Sequence, residues 1–113
     1  MPRIVFLTGA SGGIGQAVAN RLSSGGLIVI GFDLHPPGAA SNLSAFTTVD
    51  VSDADALTGA FAAAADQWGA PAHLVAAAGV IVTGHIEEIT PEDMTRAFAV
   101  NTLGVHNTLR AGM

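Results

Sequence analysis

Residues 8 to 15 read Thr8-Gly9-Ala10-Ser11-Gly12-Gly13-Ile14-Gly15, and no other stretch limits the fold of this chain as strongly. The octapeptide follows an apolar run, Ile4-Val5-Phe6-Leu7, and leads into a helical pattern that starts near Gly13. Strand, glycine turn, helix is the setting in which such a loop holds a dinucleotide pyrophosphate. Glycines at 9, 13 and 15 let the backbone turn sharply and approach a phosphate with no side chain in the way. The first amides of the helix then offer hydrogen-bond donors and the positive end of a dipole. A glycine-rich turn without a ligand has a similar composition, but this spacing between a strand and a helix favours the nucleotide reading.

Downstream, apolar runs and amphipathic stretches alternate. Strands are expected at about 3–8, 27–32, 45–49 and 73–77, the last as a fully buried strand. Helices are expected at about 13–24, from an N-cap at Ser52 to Trp68, from Thr90, and again from Asn101. Ser52 with Asp55 makes an imperfect capping box, and Leu57, Phe61, Ala64 and Trp68 fall on one apolar stripe. Thr90-Pro91-Glu92-Asp93 combines an N-cap, a proline at the first helical position and acids in the first turn. This alternation predicts an α/β fold: a Rossmann-type doubly wound parallel sheet in three layers, truncated after about four strands and the start of the fifth helix. Residues 1–113 then form one dinucleotide-binding half-domain. Right-handed crossovers place the loop after the first strand at the switch point where ligands bind.

Two acids fit such a site. Asp33 ends the second strand, close to the ~20-residue offset from the glycine loop expected of the carboxylate that grips the adenine-ribose hydroxyls. It would accept hydrogen bonds from both hydroxyls and repel a 2′-phosphate. Between Gly9 and Phe46 the only arginine or lysine is Arg21, so NAD is favoured over NADP. A carboxylate in this place can also cap a solvated loop. Asp50-Val51 ends the third strand, where the same cleft would receive adenine and a carboxylate could accept from the exocyclic amine. An aspartate at a strand end is otherwise a turn or cap residue.

Composition narrows the alternatives. Half of the residues are apolar and 12% are charged, with mean hydropathy +0.50. Such a surplus suggests apolar surface meant to pack against the rest of a larger domain or a partner subunit. No apolar run approaches the roughly 20 residues that span a bilayer. The formal net charge is −5 and the arginines stand singly at 3, 21, 96 and 110, so no basic patch invites nucleic acid. Cysteine is absent, which removes disulfides and thiolate metal sites. His35, His73, His85 and His106 lie far apart, and no metal site is expected. His73 is expected to pack at a strand start, His106 to be partly exposed, and Glu87-Glu88 to form a solvated face. Met1-Pro2-Arg3 and four apolar residues do not resemble a secretory signal, so a cytoplasmic protein is expected.

Taken together, Thr8 to Gly15, Asp33, Asp50-Val51, Ala76-Ala77-Ala78-Gly79 and Asn101 resemble the first half of a classical short-chain dehydrogenase/reductase. The resemblance runs along essentially the whole chain and a little under half of a typical member. It implies that the glycine loop binds the pyrophosphate with Ser11 and Ile14 near it, that Asp33 binds the ribose, and that Asp50 and Val51 contact adenine. The family's Asn-Asn-Ala-Gly stands here as Ala76 to Gly79. Backbone contacts from Ala76 and Gly79 to the cofactor survive that change, whereas side-chain hydrogen bonds that steady the sheet do not. Asn101 matches the family's catalytic asparagine, which positions a water near the catalytic lysine; it also suits a helix N-cap, and the two roles are compatible.

The family's catalytic serine and Tyr-x-x-x-Lys lie further along, and this chain has no tyrosine and no lysine. The resemblance therefore implies an NAD-dependent oxidoreductase of an alcohol/carbonyl substrate, represented by its cofactor-binding half and not catalytic alone. The stretch from Gly79 to Gly104 resembles members that oxidise cyclic dihydrodiols or secondary alcohols. A homo-oligomer is implied, with Leu103, Val105, Leu109 and Met113 as an apolar face on the last helix. Two readings stand beside this one: a non-catalytic NAD or adenine-nucleotide binding module, and a structural remnant that assembles with another chain.

Overall fold

Apolar runs form strands and amphipathic stretches form helices in the order β1 (Ile4–Thr8), α1 (Gly13–Ser24), β2 (Ile28–Asp33), β3 (Ala45–Thr48), α2 (Ala54–Trp68), β4 (His73–Ala76), α3 (Pro91–Phe98) and α4 (Gly104–Gly112). This is a computed structural model, which describes residues 2–39 and 41–113. All strand pairs are parallel, in the order β3-β2-β1-β4. β1 is central, in register with β2 from Ile4↔Ile28 to Thr8↔Phe32 and with β4 from Val5↔His73 to Thr8↔Ala76. The chain leaves β1 for one side of the sheet and reaches β4 on the other, so the loops after β1 and β4 diverge and open a crevice.

Period-two alternation sends the apolar residues of the central strands to both faces. Leu7 and Val29 pack with Ala19, Val18 and Leu22 of α1. Phe6, Ile30 and Phe32 pack with Leu57, Phe61 and Ala64 of α2 and with Val100. The expected three-layer, doubly wound α/β architecture is therefore observed. Phe6, Phe32 and Phe61 form a tilted aromatic trio with ring centroids 4.6 to 5.3 Å apart. Offset and edge contacts of this kind add to what burial alone contributes.

One buried group stands apart. The Thr8 hydroxyl, at the end of β1, is buried and has no hydrogen-bond partner among the described residues. An unsatisfied buried hydroxyl opposes folding, while an apolar group of the same shape does not. Thr8→Val is expected to raise stability by about 1 kcal/mol, read as a higher urea midpoint at unchanged slope. A lower midpoint would mean that the hydroxyl has a partner.

Four local expectations need correction. The N-cap of α2 is Asp53, whose carboxylate accepts from the Ala56 amide at 3.1 Å; Ser52 turns back to Asp50 instead. β4 is not fully buried: His73 and Ala76 are exposed, because no strand pairs with its outer side among the described residues. His73 therefore faces solvent rather than packing at the strand start. No new helix begins at Asn101. α3 runs into α4 through a π-helical turn, Ala99–Leu103, so Asn101 lies within a continuous helical path and is not an N-cap. The start at Thr90 is as expected, with Thr90 and Asp93 in a reciprocal capping box, and Leu103, Val105 and Leu109 are exposed on the last helix.

Candidate functional site

The crevice is built on the glycine turn. Gly9 has φ +71°, and its amide donates to the Phe32 carbonyl at 2.9 Å, which ties the turn to the end of β2. A side chain on Gly9 would run into the backbone of Ala77 and Ala78. Glycine here is thus required twice, by conformation and by the approach of the chain after β4. Gly12 is the N-cap of α1 with no side-chain cap, and the first turn carries no acid. The amides of Gly13, Ile14 and Gly15 are first-turn donors without intrahelical acceptors. The same three residues line a groove together with Ala76, Gly79, Asn101 and Val105, and Ile14 is 77% exposed.

A second, tighter cavity of about 100 Å³ opens between Gly9, Gly12, Asp33, Leu34, Asp50 and Val51. Asp33 is held from two sides: its Oδ2 accepts from the Ser11 amide at 2.9 Å and its Oδ1 from the Leu34 amide at 2.7 Å. The Ser11 hydroxyl donates to the His35 carbonyl at 2.6 Å. Ser11 therefore straps the glycine turn to the segment after β2 instead of pointing along the α1 groove.

Asp50 Oδ1 accepts from both the hydroxyl (2.7 Å) and the amide (2.9 Å) of Ser52. These two bonds, the hydroxyl's first, hold the Asp50 carboxyl below the ordinary carboxylate range; Arg96 adds a weaker pull in the same direction and slight burial opposes it. No protein donor reaches Asp50 Oδ2 among the described residues. Val51 is buried beside it.

Across the crevice, Asn101 makes a two-point amide contact with one residue. Its Oδ1 accepts from the Val80 amide at 2.8 Å and its Nδ2 donates to the Val80 carbonyl at 2.9 Å. The π-helical turn carries this residue, and such turns are frequent at functional sites. The structure thus brings Gly9, Asp33, Asp50, Val51 and Gly79 to one cavity and Gly13, Ile14, Gly15, Ala76, Gly79 and Asn101 to the adjoining groove. Ser11 lines neither, its amide and hydroxyl being taken by Asp33 and the His35 carbonyl.

Sequence reasoning missed Val80 and Asn107, whose Nδ2 donates to the Val51 carbonyl at 2.9 Å. Val80 contributes backbone atoms, which leave no trace in residue identity, and a lone asparagine on a helix carries no signal.

The donor set suits a dinucleotide. Uncapped helix amides would suit a diphosphate, and the two carboxylates could accept from ribose hydroxyls and a base amine. Open space lies over Gly13, where a side-chain carbon would find no atom within 4 Å.

Comparison with known proteins agrees with this geometry. The family model for short chain dehydrogenase matches residues 3–113. The chain is 32% identical over 118 residues to the 2,3-dihydro-2,3-dihydroxybenzoate dehydrogenase of Bacillus subtilis, covering 96% of this chain and 45% of that protein. It is 31% identical over 114 residues to a trihydroxynaphthalene reductase of Colletotrichum orbiculare, covering 92% and 40%. The ligand-free aldohexose dehydrogenase of Thermoplasma acidophilum superposes with a TM-score of 0.90 at 30% identity, over 98% of this chain and 43% of that one. The chain spans less than half the length of these relatives.

Proposed function

Since the chain belongs to the short-chain dehydrogenase/reductase family, we propose that it is the cofactor-binding part of an NAD-dependent oxidoreductase acting on a small alcohol or carbonyl compound. Asp33 carries this reading: a carboxylate anchored by two backbone amides at the end of β2, facing the cavity beside an uncapped helix start. The amides of Gly13, Ile14 and Gly15 hold the diphosphate, with Gly9 giving it room. Asp33 accepts from the ribose hydroxyls and excludes a 2′-phosphate. Asp50 and Val51 meet the adenine edge. Ala76 and Gly79 line the far end through their backbone, and Asn101 holds the chain at Val80 in place there. When bound, NAD supplies the hydride acceptor; the proton chemistry of the family's tyrosine and lysine has no counterpart among these residues.

Two relatives are named for a dihydrodiol dehydrogenase and a naphthol reductase, which supports a ring-bearing secondary alcohol or its ketone as the substrate class. A cytoplasmic location accords with a soluble dinucleotide cofactor. Met94, Phe98, Leu103 and Leu109 are exposed on the α3–α4 path, and this apolar surface supports a homo-oligomer.

Calorimetric titration with NAD and with NADP tests the reading. NAD is expected to bind at least about tenfold more tightly, since a 2′-phosphate beside Asp33 adds about 1.4 kcal/mol of repulsion or more. Equal affinities would overturn the assignment of Asp33. Binding of neither would leave the assembly reading, which the exposed apolar face favours.

A further inference from the structure

Asn107, half-buried on α4, reaches across the molecule to the wall of the crevice. Its Nδ2 donates to the carbonyl of Val51, 56 residues earlier, at 2.9 Å. That carbonyl belongs to the same peptide unit as the Ser52 amide, and the Ser52 amide donates to Asp50 Oδ1 at 2.9 Å. A peptide unit is planar, with its C=O and N–H pointing in opposite directions. Holding the carbonyl at one end therefore aims the amide at the other. From these contacts we infer that Asn107 is a positioning residue, which acts through the Val51–Ser52 peptide to set the Asp50 carboxylate at the adenine end of the cavity.

Three features of the chain support the relay. Gly104 lets α4 come close enough: a side-chain carbon there would lie 2.6 Å from Val51 Cγ2. Thr108, fully buried, donates to the Gly104 carbonyl at 2.7 Å, which fixes its side chain against the turn of α4 that meets Val51. The π-helical turn before Gly104 inserts one residue into the helical path, and one residue is about 100° of rotation. Without it, Asn107 would point away from Val51. The same turn aims Asn101 at Val80, so two carboxamides on one helical path hold the two chain segments that wall the cavity.

This inference rests on the reading of the cavity as an NAD site, and the experiment separates the two. The probe is base preference: Kd for NAD against Kd for nicotinamide hypoxanthine dinucleotide, in which an oxygen replaces the exocyclic amine that Asp50 would accept from. The parent protein is expected to prefer NAD about tenfold, the worth of one hydrogen bond to a charged group. Asn107→Leu is expected to reduce that preference to about threefold or less. Asn107→Asp keeps the shape and repels the carbonyl, so it is expected to narrow the preference equally and carries the comparison if the leucine variant does not fold.

General destabilisation would weaken both dinucleotides together and leave their ratio alone. An unchanged ratio in the variants overturns the role of Asn107 while NAD binding stands. A parent protein that binds neither dinucleotide overturns the cofactor reading, and the relay with it.

Discussion

Replacing Gly9 with alanine is expected to lower stability by about 3 kcal/mol and to abolish nucleotide binding. Two independent penalties combine. At φ +71° a residue with a side chain is held in a strained region. The added carbon also meets the peptide backbone between Ala77 and Ala78, which cannot swing aside as a flexible side chain could. Relief requires the turn to move away from β4, and that movement breaks the Gly9 amide's bond to Phe32 and widens the crevice. Urea unfolding measures the first effect and titration with NAD the second. A variant with the parent's midpoint would mean that the segment after β4 yields easily, and the close approach would lose its significance.

Asp33→Ala is expected to weaken NAD binding about 100-fold and to leave the thermal midpoint nearly unchanged. The carboxylate gathers the amides of Ser11 and Leu34, and in the proposed complex it also accepts from the ribose. Its removal strips the hydroxyls of their acceptor and frees two donors on the cavity wall. NADP binding should fall far less, because the repulsive charge leaves with the side chain. The preference between the two dinucleotides then collapses, and the ratio of their dissociation constants reads this directly. Undiminished NAD affinity would contradict the ribose assignment. Asp33 is half-buried at the surface of the cleft, so a large stability loss is not expected.

The glycine turn, Asp33 at the end of β2 and the sequence of four strands and their helices were legible because each rests on a strong local rule: strand-to-helix glycine spacing, period-two and period-3.6 patterning, and a proline-bearing helix start. Asp50, expected to end the third strand, lies two residues past β3. What escaped depended on partners far along the chain. Val100-Asn101-Thr102 reads as a helix break with a cap, since asparagine favours that place, yet the Asn101 carboxamide pairs with the Val80 backbone through both its oxygen and its nitrogen and the helix passes through. β4 reads as a buried strand because its residues are apolar, and patterning cannot tell that among the described residues only β1 pairs with it. At the start of α2, Ser52 and Asp53 are both good caps; the choice went to Asp53 because Asp50 had already engaged the serine.

The unsatisfied Thr8 hydroxyl fits the same account. Where the family's Asn-Asn-Ala-Gly carries its two asparagines, this chain has Ala76, the last residue of β4, and Ala77. The Ala77 amide still bonds the Thr8 carbonyl at 3.1 Å, but neither alanine offers the hydroxyl anything. Family resemblance located the change, and only the packed strands reveal the orphaned atom.

The aromatic trio of Phe6, Phe32 and Phe61 belongs to one buried cluster with Val49 and Val51, and through those two valines it backs the cavity with a floor that is already packed. The rim differs: the chain from 79 to 89 carries no strand or helix, and Ile81 and Ile86 are almost fully exposed. Ordering entropy on binding should therefore fall on the rim and hardly at all on the floor. An adenosine, which ends at the ribose, would meet only preorganised surface, whereas a ligand long enough to touch the rim must also quiet it. Affinity should consequently grow less than in proportion to the contacts made as ligands lengthen across this site.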